Sequence, residues 1–276
     1  MKHAAIAFDR LALAPAVWVT VASAQGSVPR DAGTWMAVFA DAVVGTIGGG
    51  HVEFQAIALA RRRLAGEAGE GDVRFALGPS LGQCCGGVMF LRFERVDAAS
   101  VPELRVRLAR QHLPLALFGG GHVGQALVEV LARLPFAVRW IDSRDSVFPA
   151  QPPASVVCEH SAPVQSAVDD LVPGSLVLIM SFSHAEDLDI VQACLRRLRR
   201  ADDLPYVGLI GSRTKWASFR HRLQERGFGD DELARVTCPI GIGGVPGKEP
   251  EVIAIAVAAQ LLQFRAGSAP EPRHGA

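Results

Sequence analysis

The string Gly119-Gly120-Gly121-His122-Val123-Gly124 constrains this chain more than any other feature. It fits the pattern G-x-G-x-x-G, and its surroundings fit the same reading. Leu115 to Phe118 is a short apolar strand before it. His122 to Leu134 is a helical stretch after it, with Val123, Leu127, Val130, Leu131 and Leu134 on one face and Pro135 as a stop. Val138 to Ile141 reads as a second strand, and Asp142 closes it about 20 residues beyond the first glycine. Glycine lets a backbone turn tightly and approach a ligand where a Cβ would clash. The helix start then offers free N–H groups and a positive dipole end to a phosphate. Gly119, Gly121, His122 and Gly124 are the candidate phosphate-binding residues. Asp142 is a candidate acceptor for a ribose 2′-hydroxyl or another ligand donor.

Further strands are expected at Val156-Val157, Leu176 to Met180 and Tyr206 to Ile210, with helices at Leu188 to Arg200 and Glu249 to Phe264. Alternating strands and helices with short connections imply an α/β fold, a Rossmann-like doubly wound parallel sheet over residues 114–265. Residues 266–276 read as a disordered tail. A smaller α+β domain precedes the sheet over residues 1–97, and residues 98–113 form a charged linker helix. In the smaller domain the expected strands are Val17 to Val21, Trp35 to Phe39, Val43 to Ile47, Val73 to Leu77 and Val88 to Phe93. A helix from His51 to Leu64 carries Phe54, Ile57, Ala58 and Leu64 in its interior, and Gly66 caps it.

Composition narrows the function classes. The chain has 276 residues, 49% of them hydrophobic, with a formal net charge of zero and a mean hydropathy of +0.23. A general attraction to nucleic acid or to an anionic membrane is not expected. The late apolar run from Val252 to Ala259 is far short of the roughly 18–20 residues of a bilayer span. Leu11 to Ala24 imitates a signal peptide and ends in Ala22-Ser23-Ala24, but Asp9, Pro15 and the strand-like Val17-Trp18-Val19-Thr20-Val21 argue against it. Five cysteines, two of them adjacent, are no disulfide framework. A cytoplasmic location is the expectation.

Two more strings invite chemistry. Gly48-Gly49-Gly50 opens a helix with His51 and Glu53 in its first turn, so it is either an anion site or a tight strand-to-helix turn. Gly82-Gln83-Cys84-Cys85-Gly86-Gly87 presents two thiols in an adaptable backbone, suited to a soft metal, sulfur relay or redox bond, or else to packing under a turn. Cys158, Cys194 and Cys238 read as packing residues. Gly211-Ser212-Arg213 follows the fifth strand of the parallel sheet, where ligands gather, and Arg213 is suited to clamp a phosphate. Ser183, His184 and Asp187 share that rim, without the order or spacing of a hydrolase triad. Arg196, Arg197, Arg199 and Arg200 read as a solvated helix end.

Together these strings resemble the xanthine dehydrogenase accessory protein family, XdhC/CoxI. The likeness is carried by Gln25-Gly26-Ser27-Val28-Pro29-Arg30, by Gly45-Thr46-Ile47-Gly48-Gly49-Gly50-His51-Val52-Glu53, by Gly82 to Gly87, and by Gly211-Ser212-Arg213-Thr214-Lys215. The stretch from Pro239-Ile240-Gly241 through Gly247-Lys248-Glu249-Pro250 is similar too. The resemblance implies a chaperone rather than an enzyme. Such a protein binds molybdenum cofactor (molybdopterin), holds it while a cysteine desulfurase installs a sulfido ligand, and delivers it to the molybdenum subunit of xanthine dehydrogenase. A homodimer is expected. Under this reading Gly119 to Gly124 with Asp142, Ser212 and Arg213 hold phosphate or pterin. Gly49, Gly50, His51 and Gln83 line the cofactor from the first domain, and Cys84 and Cys85 approach the metal.

Two other readings remain at this point. An NAD(P)-dependent oxidoreductase would suit the glycine loop and Asp142, with His184 as its acid or base. A protein-interaction scaffold would leave the Rossmann fold empty.

Overall fold

The computed structural model describes residues 2–69, 71–77, 87–109 and 112–264. Gln83, Cys84, Cys85 and the expected tail at 266–276 lie outside the described residues. The chain divides into two compact units, residues 1–111 and 112–276. The expected fold class is borne out, since a small α+β unit precedes a doubly wound parallel sheet.

The first unit runs α1 (Lys2–Leu11), β1 (Ala16–Gln25), β2 (Trp35–Val38), β3 (Val43–Gly45), α2 (Gly50–Leu64), β4 (Val73–Ala76), β5 (Val88–Val96) and α3 (Val101–Ala109). Its five strands pair antiparallel in the order β3-β2-β1-β5-β4. Successive side chains of a strand face opposite sides. Val17, Val19 and Val21 of β1 therefore join Val52, Ala56 and Ala60 of α2, while Ala16 and Trp18 join Phe8, Leu11 and Leu104 on the other side. With both faces covered, β1 reads as an unbroken apolar run, which is why this stretch imitates a signal peptide. Trp18 stacks on Trp35 with ring centroids 4.1 Å apart. Such a contact is worth about 0.5–1.5 kcal/mol beyond its buried area.

Two expectations here are corrected. The buried face of α2 is Val52, Ala56 and Ala60, and Phe54 is 72% exposed. At about 100° per residue, Phe54 points away from the stripe that Val52 and Ala56 share. The helical stretch after β5 packs Leu104 into the first unit's core, and Leu113 already belongs to the next strand.

The second unit runs β6 (Leu113–Phe118), α4 (His122–Leu131), β7 (Phe136–Asp142), β8 (Val156–His160), β9 (Leu176–Ile179), α5 (His184–Ala201), β10 (Tyr206–Leu209), α6 (Arg213–Glu225), α7 (Asp230–Leu233), β11 (Val236–Thr237) and α8 (Pro250–Gln263). Six parallel strands lie in the order β11-β10-β9-β6-β7-β8. That is the strand order of dinucleotide-binding sheets, and it reverses between β6 and β9. Helices α4 and α8 cover one face through Leu127, Leu131, Val257 and Leu261. Helices α5 and α6 cover the other through Val191, Cys194, Phe219 and Leu223. Two-residue β11 was not anticipated, because so short a run has no period to read.

Arg197 corrects the reading of the arginine cluster as a solvated face. It is 4% exposed. Its guanidinium donates to Val168 O and Leu171 O, each at 2.7 Å, and to Asp203 Oδ2 at 2.6 Å. These carbonyls belong to the connection between β8 and β9, whose regular structure is a short 3-10 segment, Val164–Val168. The arginine supplies donors that the missing crossover helix would have made unnecessary. Among the described residues, no helix is long and apolar enough to cross a membrane.

Candidate functional site

The glycine loop lies at the carboxyl end of β6, where the sheet order reverses, and each glycine has a different physical reason to be there. Gly119 has φ +122°, and a Cβ on it would sit 1.9 Å from the carbonyl oxygen of Met180. A Cβ on Gly124 would sit 2.2 Å from the carbonyl oxygen of Gly119, so α4 packs directly on the strand end. Gly120 is pressed by the Val147 side chain, which a Cβ would approach to 2.4 Å. Gly121 is different. Its φ of −72° suits any residue, and a Cβ there would meet nothing within 4 Å. It is exposed at the N-cap of α4, beside exposed His122. Nothing inside the described protein demands a glycine at this position, and the space in front of the helix dipole is open.

Asp142 departs from its expected role as a ligand acceptor. It is 2% exposed, and its carboxylate already accepts four hydrogen bonds. Gly120 N donates to Oδ2 at 2.6 Å. Arg144 donates from its backbone N to Oδ1 at 2.8 Å, from Nε to Oδ1 at 2.9 Å and from Nη2 to Oδ2 at 3.0 Å. A carboxylate has about four acceptor positions, so none is left over. Burial alone would raise this carboxyl's pKa, but the Arg144 and Gly120 donors outweigh it and hold the pKa below its ordinary value.

Two contacts span from the end of β7 to the end of β9, on either side of the loop strand β6. The Arg144 guanidinium carbon lies 4.3 Å from the ring centroid of Phe182, itself 66% exposed. Ser143 Oγ donates to Glu186 Oε1 at 2.7 Å. Neither Arg144 nor Phe182 was among the sequence candidates. An arginine two residues after a strand-closing aspartate was the available signal.

The β9–β10 half of the rim is locked together. Lys215 Nζ donates to Asp187 Oδ2 at 2.6 Å and to Ile210 O at 2.9 Å. The other oxygen of Asp187 accepts from Ser181 N at 2.8 Å and Ser181 Oγ at 2.7 Å. Ser212 caps α6, its hydroxyl accepting from Lys215 N at 3.1 Å. Arg213 is exposed in the first turn of α6. At about 4.8 Å per strand, the end of β10 lies roughly 10 Å along the rim from the glycine loop. His184 packs edge-on against Phe219 with centroids 6.3 Å apart. Cys238 faces the carbonyl oxygen of Gly211 at 3.8 Å, and burial pushes its thiol up to about 11. Burial pushes fully enclosed Cys194 up to about 12. Both values suit packing rather than reactivity.

In the first unit, the turn at Gly48 to Gly50 is fastened from within. Glu53 Oε2 accepts from Thr46 Oγ1 at 2.5 Å, Ile47 N at 2.9 Å and Gly49 N at 3.1 Å, and Thr46 Oγ1 accepts from Gly48 N at 3.1 Å. A carboxylate thus takes the amides that the anion-site expectation assigned to a ligand, because Glu53 sits in the first helical turn and reaches back. His51 is exposed and its Nε2 lies 2.9 Å from Gln55 Nε2. Among the described residues, no group of three or more His, Cys, Asp or Glu side chains is placed to hold a metal ion.

Comparison with known proteins adds to this geometry. Residues 115–261 match the model of the XdhC Rossmann domain, and residues 11–75 match that of the XdhC and CoxI family. The uncharacterized protein YqeB of Escherichia coli (strain K12) is 28% identical over 261 residues, covering 91% of this chain and 44% of that protein. The chain thus spans less than half the length of that relative. A crystal structure described as a xanthine dehydrogenase from Bacillus halodurans has a TM-score of 0.76 at 20% identity, covering 99% of this chain and 98% of that one. At that identity the likeness speaks for the fold alone. With one model matching over half of its residues and a second matching the segment before it, the chain belongs to the XdhC and CoxI family.

Proposed function

We propose that this protein is a molybdenum cofactor-binding accessory protein. In this reading it holds the cofactor during sulfuration and passes it to xanthine dehydrogenase or a related molybdenum hydroxylase. Family membership supports the accessory role. The observation that carries the binding step is Gly121, an exposed N-cap glycine without an internal reason to be glycine, in front of the α4 dipole. The donor set there fits the phosphate end of molybdopterin, and Arg213 further along the rim fits a second polar group of the same ligand. When bound, the cofactor supplies the redox-active metal that a molybdenum hydroxylase needs. The chain's own work is to hold the phosphate at the helix start and to keep the ligand oriented. Cys84 and Cys85 are proposed as the metal-side thiols. A cysteine desulfurase and the molybdenum subunit of the hydroxylase are the proposed partners, with the protein itself a cytoplasmic homodimer without catalytic activity.

The test is mass spectrometry of molybdenum and small molecules on protein made in a cofactor-competent cell, with oxidation to a fluorescent pterin as a second readout. The proposal expects stoichiometric pterin, reduced in a Cys84→Ala, Cys85→Ala variant. Absence of pterin and molybdenum from folded protein would overturn it.

A further inference from the structure

We infer that Arg144 is a specificity-determining residue that withholds Asp142 from ribose hydroxyls, so that the glycine loop does not accept an NAD-type dinucleotide. The inference rests on the reading that this loop receives a phosphate-bearing ligand, and it concerns which ligands are turned away.

In a sheet of this order, the acidic residue closing the second strand reads the ribose diol of a bound dinucleotide. Asp142 stands in that place, at the end of β7. Reading a diol takes free carboxylate acceptors, and Arg144 fills three of the four positions on its own. The arginine is also held from its other side, with the exposed Phe182 ring 4.3 Å from its guanidinium carbon. Displacing it would break a charge-assisted bidentate pair and a cation–π contact at once. The Asp142 side chain is only 1% exposed beneath this cover, against 34% for Arg144. The fourth acceptor position is taken by Gly120 N, whose α-carbon is pressed by Val147. A ribose therefore finds no free carboxylate acceptor on this side of the loop. The phosphate-facing side, at Gly121, stays open.

The test is equilibrium binding of NADH, followed by its fluorescence, to the full chain and to variants. Wild-type protein should bind NADH weakly, and Arg144→Ala should bind it about tenfold tighter or more. The gain should disappear in the double variant Arg144→Ala, Asp142→Asn, which lacks the charged acceptor. If Arg144→Ala fails to fold, Arg144→Gln serves the same comparison, because it removes the guanidinium while keeping a polar chain. Wild-type binding as tight as the variant's would overturn the inference. So would a folded variant with no gain, or a gain that survives in the double variant. The outcome is separable from that of the proposed function. Wild-type protein without pterin, but with a gain in Arg144→Ala, would sink the proposed function alone. Pterin-loaded wild type with no gain in the variant would sink this inference alone.

Discussion

The amide of Gly120 donates to Oδ2 of Asp142 at 2.6 Å, tying the glycine loop to the end of the neighbouring strand. The bond sets a stability prediction. Asp142→Ala leaves this buried N–H without its acceptor and the Arg144 guanidinium without its counter-charge. The expected loss is about 2–3 kcal/mol in chemical denaturation. Asp142→Asn keeps an acceptor for Gly120 and should lose less. Equal losses for the two variants would mean that the contact to Gly120 contributes nothing.

Gly121 and Gly124 should separate binding from folding. A Cβ at Gly124 meets the Gly119 carbonyl at 2.2 Å, so Gly124→Ala should destabilise by about 2–4 kcal/mol. Gly121→Ala meets no atom within 4 Å, so its unfolding free energy should move by no more than about 1 kcal/mol. Its retention of bound pterin should nevertheless fall. Thermal unfolding and cofactor content, measured on the same preparations, check both statements.

Replacing Arg197 should weaken the second unit from within. Arg197→Ala strands Asp203 and the carbonyls of Val168 and Leu171, and a loss of about 3–5 kcal/mol is expected. Hydrogen exchange should show its largest increase at residues 164–171, the segment those donors tie down. A uniform increase across the unit would contradict that assignment.

Acid should erode the fold through carboxylates whose folded pKa is depressed. Arg199 and the Gly229 amide hold Glu232 down to about 2. Asp203 is lowered first by Arg197, and Asp142 is lowered despite its burial. A depressed folded pKa contributes stability that is fully present above the unfolded value and lost as pH falls through the folded one. Unfolding midpoints should therefore hold steady above about pH 5 and drop between about pH 4.3 and 2. In Glu232→Gln the drop should be shallower. A midpoint that declines as pH rises from 5 to 7 would contradict this assignment.

Much of the Rossmann sheet was legible in the sequence because its signals are local. The apolar runs that became β6, β7, β9 and β10, and the glycine loop between β6 and α4, each announce themselves within a few residues. What escaped reading depends on which groups claim one another in the folded chain, whether near or far in sequence. Phe54 looked like a core residue until the helix phase was set by Val52, Ala56 and Ala60. Arg197 looked solvated because its carbonyl partners lie 26 to 29 positions earlier. Asp142 has the right place for ribose reading, but its occupancy is decided by Arg144, a residue that no motif includes. The turn at Gly48 was read from its glycines, while its amides are claimed by Glu53 of the same string. The order in which identical groups find one another is a tertiary fact, and spacing alone does not reveal it.

The two sides of the glycine loop differ mechanically. Lys215, Asp187 and Ser181 weld the ends of β9 and β10 into one piece, with two nearly enclosed ionic side chains at its centre. The facing side, after β7, carries the 3-10 turn Asp145–Val147 and is held by Arg144 on Asp142, by Ser143 on Glu186 and by the Phe148 ring against Trp140. Its ionic tie is open to solvent on the arginine side, at 34% exposure, whereas the Lys215–Asp187 pair is nearly enclosed. Dissolved salt should therefore weaken the β7 side of the loop more than the β9–β10 side.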